Sequence, residues 1–123
     1  MKKNYESIED YLENIYILSK GNNKLHAIDI ANLTGFSKPS ISRAVHRLLK
    51  DELITIDDDK HIHLTNNGIL KATKIYERHL LLTKALMFIG VDPQTAEGDA
   101  CRIEHVISDT TFDIIKDKLN KLK

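Results

Sequence analysis

Long hydrophobic runs are missing from this 123-residue sequence, and so are several residue types that mark special architectures. The longest apolar runs, residues 80–82 and 85–89, are far shorter than the ~18 residues that span a bilayer. There is no Trp, and there are only five Gly and two Pro, which argues against collagen-like or linker-rich chains. The single cysteine, Cys101, excludes an internal disulfide. Because no secretory signal pattern is present either, we expect a cytoplasmic protein.

An excess of charge of one sign is also missing, since 18 Lys and Arg residues balance 18 Asp and Glu residues. This balance excludes a protein that coats nucleic acid through a uniformly basic surface, but it permits a local basic face. Hydrophobic residues make up 41% and charged residues 29%, which is typical of a folded globular chain. The length suits one domain, or two small domains that share a helix.

Apolar residues at helical spacing predict six helices, and two β-rich runs around a polar turn predict one hairpin. The predicted elements are a helix over 8–19 capped by Ser7, a helix over 29–33 ended by Gly35, a helix from Ser37 to about residue 50, strands over 54–56 and 61–64, a helix from residue 67 to beyond Leu86, a helix from Pro93 to about residue 108, and a last helix carrying Phe112, Ile115, Leu119 and Leu122. The predicted fold is therefore mostly α, with an N-terminal winged helix-turn-helix and a small β-hairpin wing.

The third predicted helix is the segment that favours contact with DNA. Residues 37–50 carry four Lys and Arg and no acid, although residues 1–63 hold nine basic and ten acidic residues. In a winged helix-turn-helix this second helix of the motif enters the major groove, where short hydrogen-bonding side chains and cations contact phosphates and base edges. The predicted DNA-contacting residues, one of them at the hairpin tip, are Ser37, Lys38, Pro39, Ser40, Ser42, Arg43, His46, Arg47 and Lys60.

A basic face on an isolated helix is more often simply solvated, and it is the turn at Gly35 and the following hairpin that favour DNA binding here. Leu48 and Leu49 are predicted to belong to the core. The three acids at residues 57–59, beside Lys60 and His61, count against a strongly DNA-binding wing.

Thiol, imidazole and carboxylate groups recur at short spacings. Cys101, Glu104 and His105 fall at i, i+3 and i+4, which predicts one side of one helix, and Asp10 and Glu13 are also three residues apart. Such a donor mixture suits a first-row divalent transition ion better than magnesium or calcium. The candidate metal ligands are Asp10, Glu13, His79, Cys101, Glu104 and His105.

Each candidate ligand also has an ordinary structural explanation. Residues 7–10 resemble a capping box, so Asp10 would only cap its helix. A lone Cys is most often a small buried hydrophobe, and an isolated His79 is more often structural than a ligand. Spacing alone does not show that the three predicted helices bring these side chains together.

Three segments resemble the diphtheria toxin repressor family of iron- or manganese-dependent transcriptional regulators. They are SIEDYLENIY at residues 7–16, Arg78-His79, and DACRIEHVISD at residues 99–109, and the match runs in order through the chain, including KPSIS at residues 38–42. The resemblance implies a winged-helix domain over residues 1–66 and an α-helical metal-binding and dimerisation domain over residues 67–123. It also implies that Asp10, His79, Cys101, Glu104 and His105 bind Fe(II) or Mn(II), with Glu13 a further candidate. It implies as well that the chain is the short form of the family, without an SH3-like domain.

The ligand set is a hybrid of two branches of that family. Asp10 stands where manganese-sensing members have Asp and iron-sensing members have Met, whereas Cys101 is typical of the iron-sensing members. Thr83 and Glu97 replace the Glu and His that the iron branch uses in an ancillary site, so the resemblance does not extend to that site. The hard carboxylates and the softer thiolate favour different ions, which leaves the metal open.

The leading hypothesis is a homodimeric, metal-activated repressor of metal-uptake genes that binds double-stranded operator DNA. The alternative is a winged-helix regulator that senses another ligand. A metal-dependent enzyme with Glu104 as general base is disfavoured, because the sequence has no HExxH spacing, Gly-rich phosphate loop or nucleophile elbow.

Overall fold

A computed structural model describes residues 7–122, which form six helices and one two-stranded hairpin in the predicted order. The elements are α1 (Ile8–Ser19), α2 (Ala27–Thr34), α3 (Lys38–Lys50), β1 (Ile54–Ile56), β2 (Ile62–Leu64), α4 (Asn66–Phe88), α5 (Pro93–Ile103) and α6 (Asp109–Lys121). The predicted fold class is confirmed. None of the described helices is long and apolar enough to cross a membrane. The described chain divides into two compact units, residues 7–74 and residues 75–122.

Side-chain caps set most of the helix starts in the first unit. The Ser7 hydroxyl accepts the N–H of Asp10 at 3.0 Å, and Ser37 begins α3 in the same way, with Pro39 in the first turn. Helix α2 begins two residues earlier than predicted because the Asp29 carboxylate accepts the N–H of His26 at 2.9 Å in a capping box. Gly35 ends α2 at φ 77°, a left-handed conformation that glycine adopts without strain.

The core of the first unit lies among α1, α2, α3 and the hairpin, with α1 packed against α2, α3 and β2. Helix α3 buries Ile41, Ala44 and Leu48, which lie three and four residues apart and therefore share one face. Leu49 is one residue beyond that face and is 36% exposed, so its assignment to the core was wrong.

The hairpin pairs β1 and β2 in antiparallel register, with Ile56 opposite Ile62. The Ile62 N–H also donates to the Leu25 carbonyl at 2.7 Å, which ties β2 to the segment before α2. Strand β2 starts one residue later than predicted, because the N–H of His61 donates instead to the side chain of Asp57 within the turn.

At the start of helix α4, the backbone of Gly68 lies very close to the backbone of Leu53. The Thr65 hydroxyl accepts the N–H of Gly68 at 3.0 Å and donates to the carbonyl of Glu52 at 2.8 Å. A Cβ atom on Gly68 would lie 2.0 Å from the carbonyl oxygen of Leu53. Only glycine fits there without moving the backbone.

The buried stripe of α4 differs from the predicted one. Leu70 and Leu80, which were expected to be buried, are 68% and 51% exposed. The buried positions are instead Gly68, Ala72, Ile75, His79 and Leu82. Because this stripe contains an alanine and a histidine, counting only large apolar residues placed it on the wrong face.

The second unit has a core of Leu82, Ala100 and Phe112, against which further apolar side chains of α4 to α6 pack. Arg78 connects α4 with α6 and the turn before it. Its guanidinium donates to the carbonyl of Ile107 at 3.2 Å, pairs with Asp109 and lies over the ring of Phe112.

Helix α5 begins as predicted, with Asp92 as its N-cap and Pro93 in the first turn, but it ends at Ile103 and not near residue 108. The Ile103 carbonyl accepts the N–H groups of both Val106 and Ile107, at 3.0 and 2.9 Å, which closes a turn. Ser108 then caps α6, so the chain starts a new helix where the first was predicted to continue.

Candidate metal centre and nucleic-acid interface

Among the described residues, every buried Asp, Glu, His, Lys or Arg is a predicted metal ligand. These buried groups are Asp10, Glu13, His79 and Glu104. Cys101, the single cysteine of the chain, is fully buried too. Burying an ionisable group is costly unless it is hydrogen-bonded, ion-paired or bound to a metal, so chains rarely collect several of them. Burial therefore separates these predicted ligands from the other acids and histidines of the described chain.

Helix α1 carries Asp10 and Glu13 on one face, since they are three residues apart. Both carboxylates are 0% exposed. The Asp10 carboxylate accepts a hydrogen bond from Asn14 Nδ2 at 3.4 Å, one turn further along the helix. The N-cap of this helix is Ser7.

Glu104 lies next to two imidazoles in the second unit. Its Oε2 is 3.2 Å from His79 Nδ1, and its Oε1 is 3.5 Å from His105 Nε2. The His79 and Glu104 side chains are 8% and 0% exposed, and that of His105 is 12% exposed. Cys101 precedes Glu104 by about one helical turn on α5. Imidazole, carboxylate and thiol are therefore available in one small region, and this donor set fits a first-row divalent ion.

The prediction that His105 lies on the same helix as Cys101 was wrong. Glu104 is the C-cap of α5, with helical φ and ψ of −58° and −25°, and its N–H still donates to the Ala100 carbonyl at 2.9 Å. His105 lies beyond the helix, in the turn, where its N–H donates to the Arg102 carbonyl at 3.4 Å. The i, i+4 helical relation to Cys101 therefore does not place His105.

The predicted DNA-contacting side chains lie at the N-cap of α3 and on its outer face, except Lys60, which lies in the wing turn. All are exposed except Ser40, which is half-buried. Arg43 Nη2 donates to Ser40 Oγ at 3.2 Å, and Arg47 Nε pairs with Asp51 at 3.1 Å. Both arginines line a groove of about 300 Å³ between α1 and α3. The Arg47–Asp51 pair is solvent-exposed and hence weak, so phosphate can compete for the guanidinium.

Asp57 organises the tip of the wing, a role that the sequence analysis missed. Its Oδ1 accepts the N–H groups of Asp59 and His61, both at 2.9 Å, and its Oδ2 lies 2.9 Å from His63 Nε2. The hydrogen bond from His63, followed by that from the His61 backbone, lowers the pKa of Asp57 from 3.8 to about 2. An Asp that opens a polar turn and accepts the N–H two residues on is a recognisable Asx-turn signal.

Lys60 follows in the same turn and has a left-handed backbone, with φ 68°. Its N–H donates to the Asp57 carbonyl at 3.0 Å, and its side chain is exposed. The carboxylate of Asp57 is thus directed to the turn itself, which reduces the number of acids that would face DNA beside Lys60.

Comparison with known proteins places both halves of the chain in one family. A family model described as the N-terminal DNA-binding domain of iron-dependent repressors matches residues 4–62. A second model, described as the metal-binding and dimerisation domain of iron-dependent repressors, matches residues 65–123.

An uncharacterised HTH-type transcriptional regulator of Methanocaldococcus jannaschii is 32% identical over 120 residues, which cover 96% of each chain. The HTH-type transcriptional regulator MntR of Listeria monocytogenes is 35% identical over 111 residues, 90% of this chain and 78% of that protein. The structure of the manganese regulator SloR superposes on this chain with a TM-score of 0.82 at 30% sequence identity. The match covers 98% of this chain and 55% of the SloR chain, so this chain spans about half of the length of that protein. The chain belongs to the iron-dependent repressor family, the diphtheria toxin repressor group of transcriptional regulators, and is not an enzyme.

Proposed function

We propose that this protein is a metal-activated repressor that binds operator DNA as a homodimer in the cytoplasm and controls metal-uptake genes. The observation that carries the proposal is the burial of ionisable groups: within the described chain, the buried acids and the buried histidine are all predicted ligands. A solvated helix face or a vestigial site has no need of buried carboxylates, whereas a divalent cation compensates their charge.

The proposed ligands are those carried over from the family: Asp10, Glu13, His79, Cys101, Glu104 and His105. Within the second unit, the contact between Glu104 and the two imidazoles supports the assignment, because a carboxylate with nitrogen donors at 3.2 and 3.5 Å has the spacing of neighbouring ligands around one ion. A bound Mn(II) or Fe(II) would supply positive charge to these buried donors. The deprotonated thiolate of Cys101 and neutral imidazoles are the forms that bind.

DNA binding is assigned to α3 and the wing, with the contacts predicted from sequence. Arg43 and Arg47 lie one helical turn apart on the exposed face, where guanidinium groups reach phosphate or guanine. We assign residues 1–66 to DNA binding and residues 67–123 to metal binding and dimerisation. Manganese appears in the description of SloR, which supports Mn(II) as a first candidate for the activating ion here.

The test is metal-dependent DNA binding with a probe obtained by selecting a random duplex library on the purified protein in Mn(II). Fluorescence anisotropy then gives the affinity with no metal, with Mn(II) and, under anaerobic conditions, with Fe(II). We expect Asp10→Ala to lower the Mn(II)-activated affinity by about tenfold or more, because an acid ligand is lost. Glu9→Ala, which removes a neighbouring acid from the same turn of α1, should respond to metal like the wild type.

The recognition helix is tested with the same probe at saturating metal. The double variant R43A/R47A should lose about tenfold or more in affinity, since one bidentate arginine contact to a base contributes roughly 1–3 kcal/mol and a lost phosphate contact weakens binding further. The control K71A/K74A removes two exposed lysines of α4 and should bind normally. Wild-type binding that ignores metal would support a sensor of another ligand instead, and unchanged affinity in R43A/R47A would contradict the assignment of α3.

A further inference from the structure

Two histidines and two acids lie close together at the wing. The repressor function proposed above assigns no metal-binding role to them. The residues are Asp57, Asp59 and His61 in the turn and His63 in β2. A third histidine, His26, contacts the ring of His61 with centroids 4.6 Å apart. None of these side chains belongs to the ligand set proposed for Mn(II) or Fe(II).

In this wing cluster, Asp57, Asp59 and His61 have donor atoms close to one another, and His63 lies close to Asp57. Asp57 Oδ2 is 3.3 Å from His61 Nδ1 and 2.9 Å from His63 Nε2. Donor atoms of Asp57, Asp59 and His61 all lie within 4.8 Å of one another. Ligands held at 2.0–2.1 Å around a tetrahedral ion are separated by roughly 3.3 Å. Side-chain rotation can therefore direct Asp57, Asp59 and His61 to a single ion, and His63, which contacts Asp57 Oδ2, would join them by turning its ring.

The backbone holds the cluster in place. His61 and His63 are two residues apart, so their side chains project on the same side of the extended chain. The hydrogen bonds from the N–H groups of Asp59 and His61 to Asp57 Oδ1 fix that carboxylate, and Oδ2 remains directed at the imidazoles. The His61 side chain is 16% exposed, whereas those of His63 and Asp57 are 37% and 39% exposed, which leaves a path for an ion from solvent.

We propose that Asp57, His61 and His63, with Asp59 as the fourth donor, form a second metal site that takes an imidazole-preferring divalent ion such as Zn(II) or Co(II). Two imidazoles and two carboxylates select zinc-like ions over manganese, which prefers oxygen donors. The site has a consequence for DNA. The acids at 57–59 and Lys60 give the turn a net charge of about −2, and a divalent ion cancels it beside the exposed lysine.

The first measurement requires no substitution. Long-range ¹H–¹⁵N spectra of the imidazoles are recorded on the full chain during titration with Zn(II). We expect the Nδ1 resonance of His61 and the Nε2 resonance of His63 to shift together and saturate with one equivalent of the ion. If both resonances stay unchanged while Zn(II) binds elsewhere, the wing cluster is only a hydrogen-bonded turn and the proposal is wrong.

The second measurement counts ions in matched variants by Zn(II) competition with a chelating dye. The double variant H61Q/H63Q should bind one Zn(II) fewer than the wild type, or bind it more than about tenfold more weakly. Asp58→Asn, which removes an acid from the same turn but not from the cluster, should keep the wild-type count. Equal counts and affinities in the wild type and H61Q/H63Q would overturn the proposal.

Co(II) distinguishes the wing from the site that contains Cys101. A thiolate ligand produces a sulfur-to-cobalt charge-transfer band, whereas nitrogen and oxygen ligands give only ligand-field bands. We expect H61Q/H63Q to lose ligand-field intensity and retain the charge-transfer band. Loss of the charge-transfer band alone would show that these histidines act on the Cys101 site, and it would refute a separate wing site.

Discussion

At the scale of single residues, Cys101 is the position where burial does not decide between two roles. A fully buried thiol is the usual state of a structural cysteine and is also the state of a metal ligand inside a protein. The neighbouring side chains favour the ligand role. Glu104 follows Cys101 by about one helical turn, and the Glu104 carboxylate lies 3.2 Å from Nδ1 of His79. The affinity of the protein for different metal ions distinguishes the two roles, because only a ligating thiolate changes that affinity directly.

We predict that Cys101 gives the wild type tighter binding of Zn(II) and Co(II) than of Mn(II), in line with the general affinity order and the softness of thiolate. Cys101→Glu should lose Zn(II) and Co(II) affinity and keep or improve its response to Mn(II). Metal titration followed by DNA binding at saturating metal measures both effects. Cys101→Ser, which nearly preserves the volume, is the control for packing. An unchanged metal ranking in the Glu and Ser variants would place the sulfur outside the ligand set.

Asp57 provides a prediction about pH at the residue scale. Its pKa in the folded chain is about 2, against 3.8 ordinarily, because His63 and the His61 N–H hydrogen-bond to the ionised form. A lowered pKa stabilises the folded turn above pH 3.8, and this stabilisation is lost as the pH falls through about 2. The carboxyl carbon shift of Asp57 should therefore titrate with a midpoint near 2. A midpoint near 4 would mean that these hydrogen bonds are not formed in solution.

At the scale of elements, helix starts could be predicted because local side chains define them. Ser7, Ser37 and Asp92, the caps predicted from sequence, each accept an N–H three residues ahead. Ser108 accepts an N–H in the same way at the start of α6, although the preceding helix was predicted to continue to that residue. The end of α5 could not be predicted, because no glycine or proline marks it. There the Ile103 carbonyl closes a turn with two N–H groups, an arrangement that depends on where α6 packs its own apolar face.

The start of α4 yields a prediction about stability. Gly68→Ala places a Cβ 2.0 Å from the backbone oxygen of Leu53, which cannot rotate away, so we expect a loss of about 1–3 kcal/mol. Gly98→Ala is the matched control, because its Cβ meets nothing within 4 Å inside α5 and a gain of up to about 1 kcal/mol follows from helix propensity. Denaturant unfolding of the two variants should give changes of opposite sign. A neutral Gly68→Ala would contradict the close approach.

At the scale of the whole molecule, the fold class followed from periodicity and caps, but the candidate site did not follow from spacing. Spacing could pair Asp10 with Glu13, and Cys101 with Glu104, because each pair lies about one turn apart on a helix. It could not assign His79, which lies alone on α4, nor His105, which lies past the end of α5. His105 was a candidate through its i+4 spacing from Cys101, which is not a helical relation in the structure, and His79 was a candidate through its side-chain chemistry alone. The family resemblance implies a ligand role for both, whereas spacing does not, since contacts between distant segments arise only from tertiary packing.

The last prediction concerns assembly. The predicted stripe of α6 is divided: Phe112 is buried in the core of its own unit, whereas Leu122 is 60% exposed. Phe88, Ile89 and Val106 of the same unit are 64%, 73% and 82% exposed, and so much exposed apolar surface is typical of an interface.

We therefore expect a two-fold dimer by sedimentation velocity at micromolar protein, with and without metal. Because two-fold symmetry places two recognition helices about one DNA turn apart, ~34 Å, the duplexes selected from the random library should contain an inverted repeat. R43A/R47A is the control, since loss of DNA contacts should leave the sedimentation of the free protein unchanged. A monomer under both metal conditions, together with selected sites that lack any repeat, would exclude the dimeric repressor.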